Sequence, residues 1–353
     1  MNQNSFSLDW HHAWGGPLGH CQFKSIPEDF IVDEELPFEP EGEGEHLLLR
    51  IEKTGHNTDW VAGQLARHIG VKRSSISYAG RKDRQGITRQ WFCVSLPGLP
   101  DPDWQGFETE SLQIITSVRH RKKLRTGALK SNRFKITLRQ VDGKQAELEK
   151  RLCQISAKGV PNYFGHQRFG RNGNNLEKAS LLFEGSLRVQ RNKRSMYLSA
   201  ARSWLFNQVL SERVALNNWN DWVAGDVLGF QDNNSLIFDE LDESLKARLE
   251  QNQVTPTGPL WGRGTLLSGI ACKQLEETVC GRYQLLCEGL ETQGLQQERR
   301  ALRLMPGEMS WQWCDSATLT LEFRLPKGCF ATSVLRELLV CNEGVPGENT
   351  VVE

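Results

Sequence analysis

Apolar positions along the chain fall into a few clean periodicities. Within residues 44–53, Leu47, Leu49 and Ile51 alternate with Leu48, Arg50 and Glu52, which predicts a strand with one buried face. A helix follows directly. Asn57 or Thr58 can cap it, Val61, Leu65 and His68-Ile69 recur at helical spacing, and Gly70 suits the left-handed position that ends it. The continuous apolar run 91–96 reads as a central strand, closed by the turn residues Pro97-Gly98-Leu99-Pro100. The polar stretch 78–90 is then the loop leading from the strand–helix unit into that strand.

Further along, Phe134, Ile136 and Leu138 alternate with Arg133, Lys135, Thr137 and Arg139, predicting a strand with an apolar row on one face and a largely cationic row on the other. Residues 145–157 carry Leu148, Leu152 and Ile155 on one helical side, with Gly159 as a stop before Pro161. Near the C-terminus Leu319, Leu321, Phe323 and Leu325 repeat the strand pattern, and Pro326-Lys327-Gly328 turns the chain into a helix predicted at about 332–340. The middle, about 160–304, differs in texture: 196–216 is a strong helix pattern, whereas 217–270 is punctuated by Gly, Asn and Asp around short runs such as Ser235-Leu236-Ile237-Phe238. Strand-rich ends therefore flank a mixed second domain. No internal repeat or low-complexity segment is present.

Composition narrows the class without naming it. With 353 residues, 38% hydrophobic and 24% charged, the chain fits about two globular domains rather than a disordered or fibrous polymer. No apolar run approaches the roughly 18 residues of a membrane span, and the N-terminus lacks the basic and apolar regions of a secretory signal. A cytoplasmic location is expected. The nine cysteines are odd in number, widely spaced and free of C-x-x-C pairs, which predicts free buried thiols. No histidine lies in a ligand pattern such as H-E-x-x-H, so no metal is expected.

Net charge conceals a segregation. Lys+Arg 43 balance Asp+Glu 43, yet residues 1–60 hold 3 bases (Lys24, Arg50, Lys53) against 12 acids, while 119–139 hold 9 bases and no acid. Cations concentrated without interleaved acids suit a polyanionic partner, although a solvated face is the alternative.

Two segments could carry chemistry. Tyr78-Ala79-Gly80-Arg81-Lys82-Asp83-Arg84-Gln85-Gly86 sets one carboxylate among three cations. A base within about 4–6 Å would keep Asp83 ionised as nucleophile or base. A charged surface turn is the bland alternative. The second segment, 162–173, interleaves Tyr163, Phe164 and Phe169 with Arg168, Arg171 and glycines. Aromatic faces there can stack bases while arginine holds phosphate, or the segment is a structural turn with buried Phe. It lacks the Lys-Ser/Thr of a P-loop, and no G-x-G-x-x-G follows a strand, so a nucleotide cofactor has no support. Arg188, Arg191, Lys193 and Arg194 add a further basic cluster. Two classes survive: an RNA-modifying enzyme acting through Asp83, and a non-catalytic RNA-binding module.

The ordered stretches Lys24-Ser25-Ile26-Pro27-Glu28-Asp29-Phe30-Ile31-Val32, Gly42-Glu43-Gly44-Glu45-His46, Ala79-Gly80-Arg81-Lys82-Asp83-Arg84, Lys123-Leu124-Arg125-Thr126-Gly127-Ala128-Leu129-Lys130-Ser131-Asn132-Arg133-Phe134 and Gly328-Cys329-Phe330-Ala331-Thr332-Ser333, with the 162–171 segment, resemble the tRNA pseudouridine synthase D (TruD) family. The resemblance implies an α+β fold: a pseudouridine synthase catalytic domain with a mixed, mostly antiparallel sheet and helices, formed by 1–157 and 305–353, with an inserted family-specific α/β domain at 158–304. It implies that Asp83 is the catalytic aspartate and Lys24 its basic partner, holding the carboxylate charged where desolvation would otherwise raise its pKa. It places Phe134 against the target uracil, with Asn132 and Phe330 lining the same pocket. Lys82, Lys122, Lys123, Gln167 and Arg168 complete the candidate substrate contacts. The implied reaction converts uridine-13 of tRNA to pseudouridine without cofactor or metal, in a monomer whose partner is tRNA. Arg81, Gln85-Gly86-Ile87 and His166 depart from the commoner family pattern without removing a reactive group.

Overall fold

The computed structural model describes residues 6–230, 235–238 and 240–343. They divide into two units, one from the described residues of 18–148, 306–328 and 339–353, the other from those of 1–17, 149–305 and 329–338. The fold is α+β. None of the described helices is long and apolar enough to cross a membrane.

The first unit is built on strands β1 (His20–Phe23), β2 (Phe30–Glu35), β3 (His46–Thr54), β4 (Ile76–Tyr78), β5 (Ile87–Ser95), β6 (Leu112–His120), β7 (Ser131–Arg139), β8 (Gly307–Asp315), β9 (Thr318–Pro326) and β10 (Val340–Glu343). Among the described residues they form one ten-stranded sheet with the order β8-β9-β7-β2-β5-β3-β6, to which β1, β4 and β10 add by pairing with β7, β5 and β1 respectively. The pairs β2–β5 and β1–β10 are parallel, and the rest are antiparallel.

Register decides which side chains become neighbours, because residues directly opposite share a sheet face. Phe323 of β9, Phe134 of β7, Val32 of β2, Thr88 of β5 and Lys53 of β3 stand in one row across five strands. The predicted alternation of β7 holds: Phe134, Ile136 and Leu138 are buried, while Arg133 and Lys135 are exposed.

Several expectations are revised. Leu48, expected on a polar face, is fully buried with Ala79, Cys93 and Leu124, because the segment after β6 and the stretch after β4 cover the second side of β3. Helix α1 (Thr58–Ile69) packs Val61 and Leu65 on Leu47, Leu49, Ile51 and Phe92 and ends at Gly70 in the left-handed conformation. Asn57 precedes it without a side-chain cap bond. The predicted loop 78–90 shrinks to 79–86, since β5 starts at Ile87 through its parallel pairing with Ile31. Five of the nine cations of 119–139 do find acids among the described residues, brought by the fold rather than by sequence: Arg133 and Lys135 pair with Glu322, Arg139 with Asp29, Arg119 with Asp101, and Arg121 with Glu41 and Glu43. The predicted helix at 332–340 is the shorter Ala331–Leu335. Among the cysteines, Cys153 and Cys314 are exposed and Cys329 and Cys341 half-buried, rather than all buried.

In the second unit, helices α2 (Gln145–Lys158), α3 (Asn174–Phe183) and α4 (Arg191–Ala215) accompany two small sheets, one of four strands (Leu228–Phe230, Leu236–Ile237, Val254–Leu260 and Glu298–Ala301) and one of two (Val160–Pro161 and Arg303–Leu304). The division between units falls inside α2. Residues 6–17 and 329–338, placed by the sequence reading with the chain ends, group here: Trp10 stacks on Tyr163, and the amides of Ala13 and Trp14 donate to Glu337.

Candidate active site

The sequence surrounds Asp83 with three cations, and the fold sends each of them elsewhere. Arg81 pairs with Asp59 at 3.1 Å, Arg84 donates to the carbonyl of Gly55 at 2.9 Å, and the enclosed ammonium of Lys82 is taken by the buried carboxylate of Glu34. The partner of Asp83 comes from a distant part of the chain. Lys24 follows β1 with a left-handed backbone (φ 58), and its Nζ lies 2.5 Å from Asp83 Oδ2. Glu343 Oε1 stands 3.9 Å from the same ammonium.

Aromatic rings enclose the cation. Lys24 Nζ lies 5.0 Å from the Phe23 ring centroid and 4.4 Å from that of Phe30, distances at which the ring faces attract it. The ring of Phe30 is 6.1 Å from that of Phe134, which stacks on Phe323 at 5.6 Å. The Lys24 side chain is 6% exposed and that of Asp83 30%, so water and solutes reach the carboxylate but hardly the ammonium. An accessible carboxylate held by a buried cation is equipped to act as nucleophile or base.

Loop 79–86 is held at nearly every residue. Asp83 Oδ1 accepts from the Gln85 amide at 3.1 Å, closing a short turn. The hydroxyl of Thr58, at the start of α1, accepts from the Lys82 amide at 3.0 Å and donates to Gln90 Oε1 at 2.8 Å, while Gln90 Nε2 donates to the Gly80 carbonyl. Glu34 also accepts from the Trp91 amide at 3.0 Å. Lys53 Nζ donates to the Asp83 carbonyl at 2.9 Å. At Gly86 φ is +117, and a Cβ there would meet the Phe30 carbonyl oxygen at 2.3 Å, so the loop re-enters the sheet at a place only glycine fits.

Asn132 and Phe134 share a face of β7, as the alternation predicts. Phe134 is buried among Phe30, Phe323 and Val32, and Asn132 is half-buried with an Oδ1 that has no hydrogen-bond partner among the described residues. Lys122 and Lys123 are exposed in segment 121–130, which is fastened to the loop of Asp83: the Gly127 amide donates to the Ala79 carbonyl at 2.6 Å, and Ser77 Oγ donates to the carbonyl of the buried Leu124 at 2.7 Å. Lys122, Lys123, Arg125 and Lys130 form no ion pair among the described residues.

Phe330, Gln167 and Arg168 belong to the other unit. Gln167 is exposed in the short helical turn His166–Phe169. The Arg168 guanidinium lies 5.6 Å from the Phe164 ring centroid and donates to Ser199 Oγ, and burial lowers its pKa. Phe330 packs on Phe164 at 6.1 Å. Tyr163, Phe164 and Phe169 are core residues beside Trp10 and Phe206, so of the two readings of this segment the buried turn describes its aromatics.

The residues missed from sequence are Glu34, Lys53, Thr58 and Gln90. Two carried a signal: Glu34 is in phase with Phe30 and Val32, and Lys53 with Leu47, Leu49 and Ile51. A charge on an apolar row is either an error of phase or a buried group with a task.

Comparison with known proteins gives consistent results. The sequence model of the family described as tRNA pseudouridine synthase D (TruD) matches residues 12–187 and 174–338. Curated proteins bearing that description include one from Hydrogenovibrio crunogenus, 45% identical over 92% of this chain and 94% of its own, and one from Aeromonas hydrophila, 48% identical over 94% of each. Among solved structures, a Methanosarcina mazei protein described under the same family name superimposes with a TM-score of 0.73 at 22% identity, covering 93% of this chain and 95% of that one.

Proposed function

Because this chain belongs to the tRNA pseudouridine synthase D family, we propose that it isomerises uridine-13 of tRNA to pseudouridine with Asp83 as the reactive carboxylate. The observation that carries the reading is the Lys24–Asp83 pair, a buried ammonium 2.5 Å from a carboxylate that solvent still reaches. In the reaction the N1–C1′ bond of the nucleotide breaks, the uracil turns, C5 bonds to C1′, and the C5 proton is lost as N1 gains one. Asp83 serves this by attacking C1′, by adding to C6, or by removing the 2′ proton to give a glycal. All three use it as the carboxylate, and the Lys24 ammonium stands beside it as its charge partner.

The target base must leave its stack to meet the carboxylate. We assign Asn132 to hydrogen bonding of the uracil, Phe134 to the apolar packing that bounds the pocket, and Lys122 and Lys123 to phosphate. Lys82, engaged by Glu34, holds the loop instead of touching RNA. Gln167 is assigned to RNA contact, while Arg168 and Phe330 support its segment through Phe164.

The test is pseudouridine mapping at single-nucleotide resolution on an unmodified tRNA transcript, with the natural chain and with Asp83→Asn, while RNA binding is followed in parallel. Product at position 13 with the natural chain and none with a variant that still binds is the expected result. Binding by both with product from neither, across the tRNA set, would sink the catalytic reading and leave an RNA-binding module.

A further inference from the structure

Lys53 is wholly enclosed, on the apolar row of β3. Its Nζ donates to the His56 carbonyl at 2.8 Å and to the Asp83 carbonyl at 2.9 Å. None of the described carboxylates is within ion-pair distance of it, so two peptide dipoles and the more distant charge of Asp83 balance the ammonium. The groups around it are few. Its cross-strand partners, Thr88 on β5 and Leu112 on β6, are uncharged. Asp83 and Lys82 act on it from the loop, and His56 lies on the turn between β3 and α1. A bare cation in a sheet interior is expensive, and an apolar residue would suit the packing of this row. The position of the two acceptors gives the amine something to do: it ties the turn after β3 to the peptide of Asp83 itself.

We propose that Lys53 is a positioning residue for the isomerisation, which clamps the main chain of Asp83 as a cation and releases its grip when it loses its proton. The proposal rests on the reading of Asp83 as the reactive group. Charge-assisted hydrogen bonds are about twice as strong as neutral ones, so an uncharged amine holds the two carbonyls more weakly. Burial, reinforced by Lys82 and opposed by Asp83, lowers the Lys53 pKa to about 8. Positional error of the order of 1 Å in a reacting group can cost about 100-fold in rate. The Lys24–Asp83 contact would register a shift of the loop directly, because Lys24 stands outside that loop, just after β1.

The experiment compares the full natural chain with Lys53→Met in two ways. First, kcat and KM for a tRNA transcript are measured from pH 6 to 9.5. For Lys53→Met we expect kcat to fall by about 10- to 100-fold with KM little changed, and the descending alkaline limb of the natural enzyme near pH 8 to be missing. A variant with natural kcat, or one that keeps the same alkaline limb, would overturn the proposal. Second, amide hydrogen exchange across residues 80–86 of the natural chain is measured over the same range and corrected for intrinsic rates. Protection is expected to drop through about pH 8, and constant protection would overturn the clamp even if the variant failed to fold. Should the natural chain make no pseudouridine, the functional reading fails, while the exchange result still decides whether Lys53 holds the loop.

Discussion

Lys24 and Asp83 are 59 positions apart in the chain, and their charged atoms meet at 2.5 Å. The contact joins a buried ammonium to an accessible carboxylate, so each residue has a distinct dependence on the other. Asp83 can be hydrated without Lys24. Lys24, enclosed by Phe23 and Phe30, has little water to replace Asp83.

Lys24→Met therefore separates activity from stability. Methionine fills the space between the two rings, and the freed carboxylate is hydrated, so unfolding in urea is expected to change by no more than about 1 kcal/mol. Turnover is expected to fall at least about 100-fold, as the carboxylate loses its charge partner and its orientation. Retention of a tenth or more of the natural kcat would show that the pair does not serve the chemistry.

The buried pair of Lys82 and Glu34 predicts the opposite balance. Glu34→Leu strands the Lys82 ammonium in the interior and is expected to cost about 3–5 kcal/mol in urea denaturation, whereas Glu34→Leu with Lys82→Met should cost markedly less. Equal losses from the single and double variants would mean that the carboxylate matters through its bond with the Trp91 amide instead.

The unpaired cations Lys122, Lys123, Arg125 and Lys130 predict a salt effect. If each neutralises one RNA phosphate, replacing all four with alanine should flatten the slope of log affinity against log salt by about 2.8 to 3.6, at roughly 0.7–0.9 per contact. Turnover at saturating tRNA should stay near natural. An unaltered slope, measured by filter binding between low and high salt, would exclude the segment from the RNA interface.

Lys53 also imposes a pH dependence on folding. Its pKa falls from 10.5 in the unfolded chain to about 8 in the fold, so between those values the unfolded state binds the extra proton. Stability contributed by this group thus rises with pH across that window, by about 3 kcal/mol in all, and is at its least below pH 8. Urea midpoints of the natural chain minus those of Lys53→Met should increase from pH 8 to pH 10. A flat difference would mean that the amine keeps an ordinary pKa. The global gain accompanies a local loss, since the neutral amine grips the Asp83 peptide less firmly.

Much of the fold was legible because period and burial coincide. The alternation of Phe134, Ile136 and Leu138, the helical spacing of Val61 and Leu65, and the stop at Gly70 each report a local choice between one face and the other. Reading failed where a second layer covers a strand. Leu48 was expected on a polar face because Arg50 and Glu52 follow it in phase, and only the packing of Ala79 and Leu124 buries it. Arg133, Lys135 and Arg139 looked unpaired because Glu322, opposite on β9, and Asp29, just before β2, reach them through the sheet rather than as sequence neighbours.

By itself the sequence determined the strongly periodic strands and helices, the family, and the identity of Asp83 and Lys24 as the residues to watch, since those follow from local period and from ordered motifs. The family resemblance named Lys24 as the partner of Asp83; tertiary structure alone decided that the adjacent Arg81, Lys82 and Arg84 turn to Asp59, Glu34 and Gly55 instead, and that Glu34, Lys53, Thr58 and Gln90 hold the loop. The physical reason is that charges pair by distance in space. Sheet register sets that distance, and register joins residues that the chain keeps far apart.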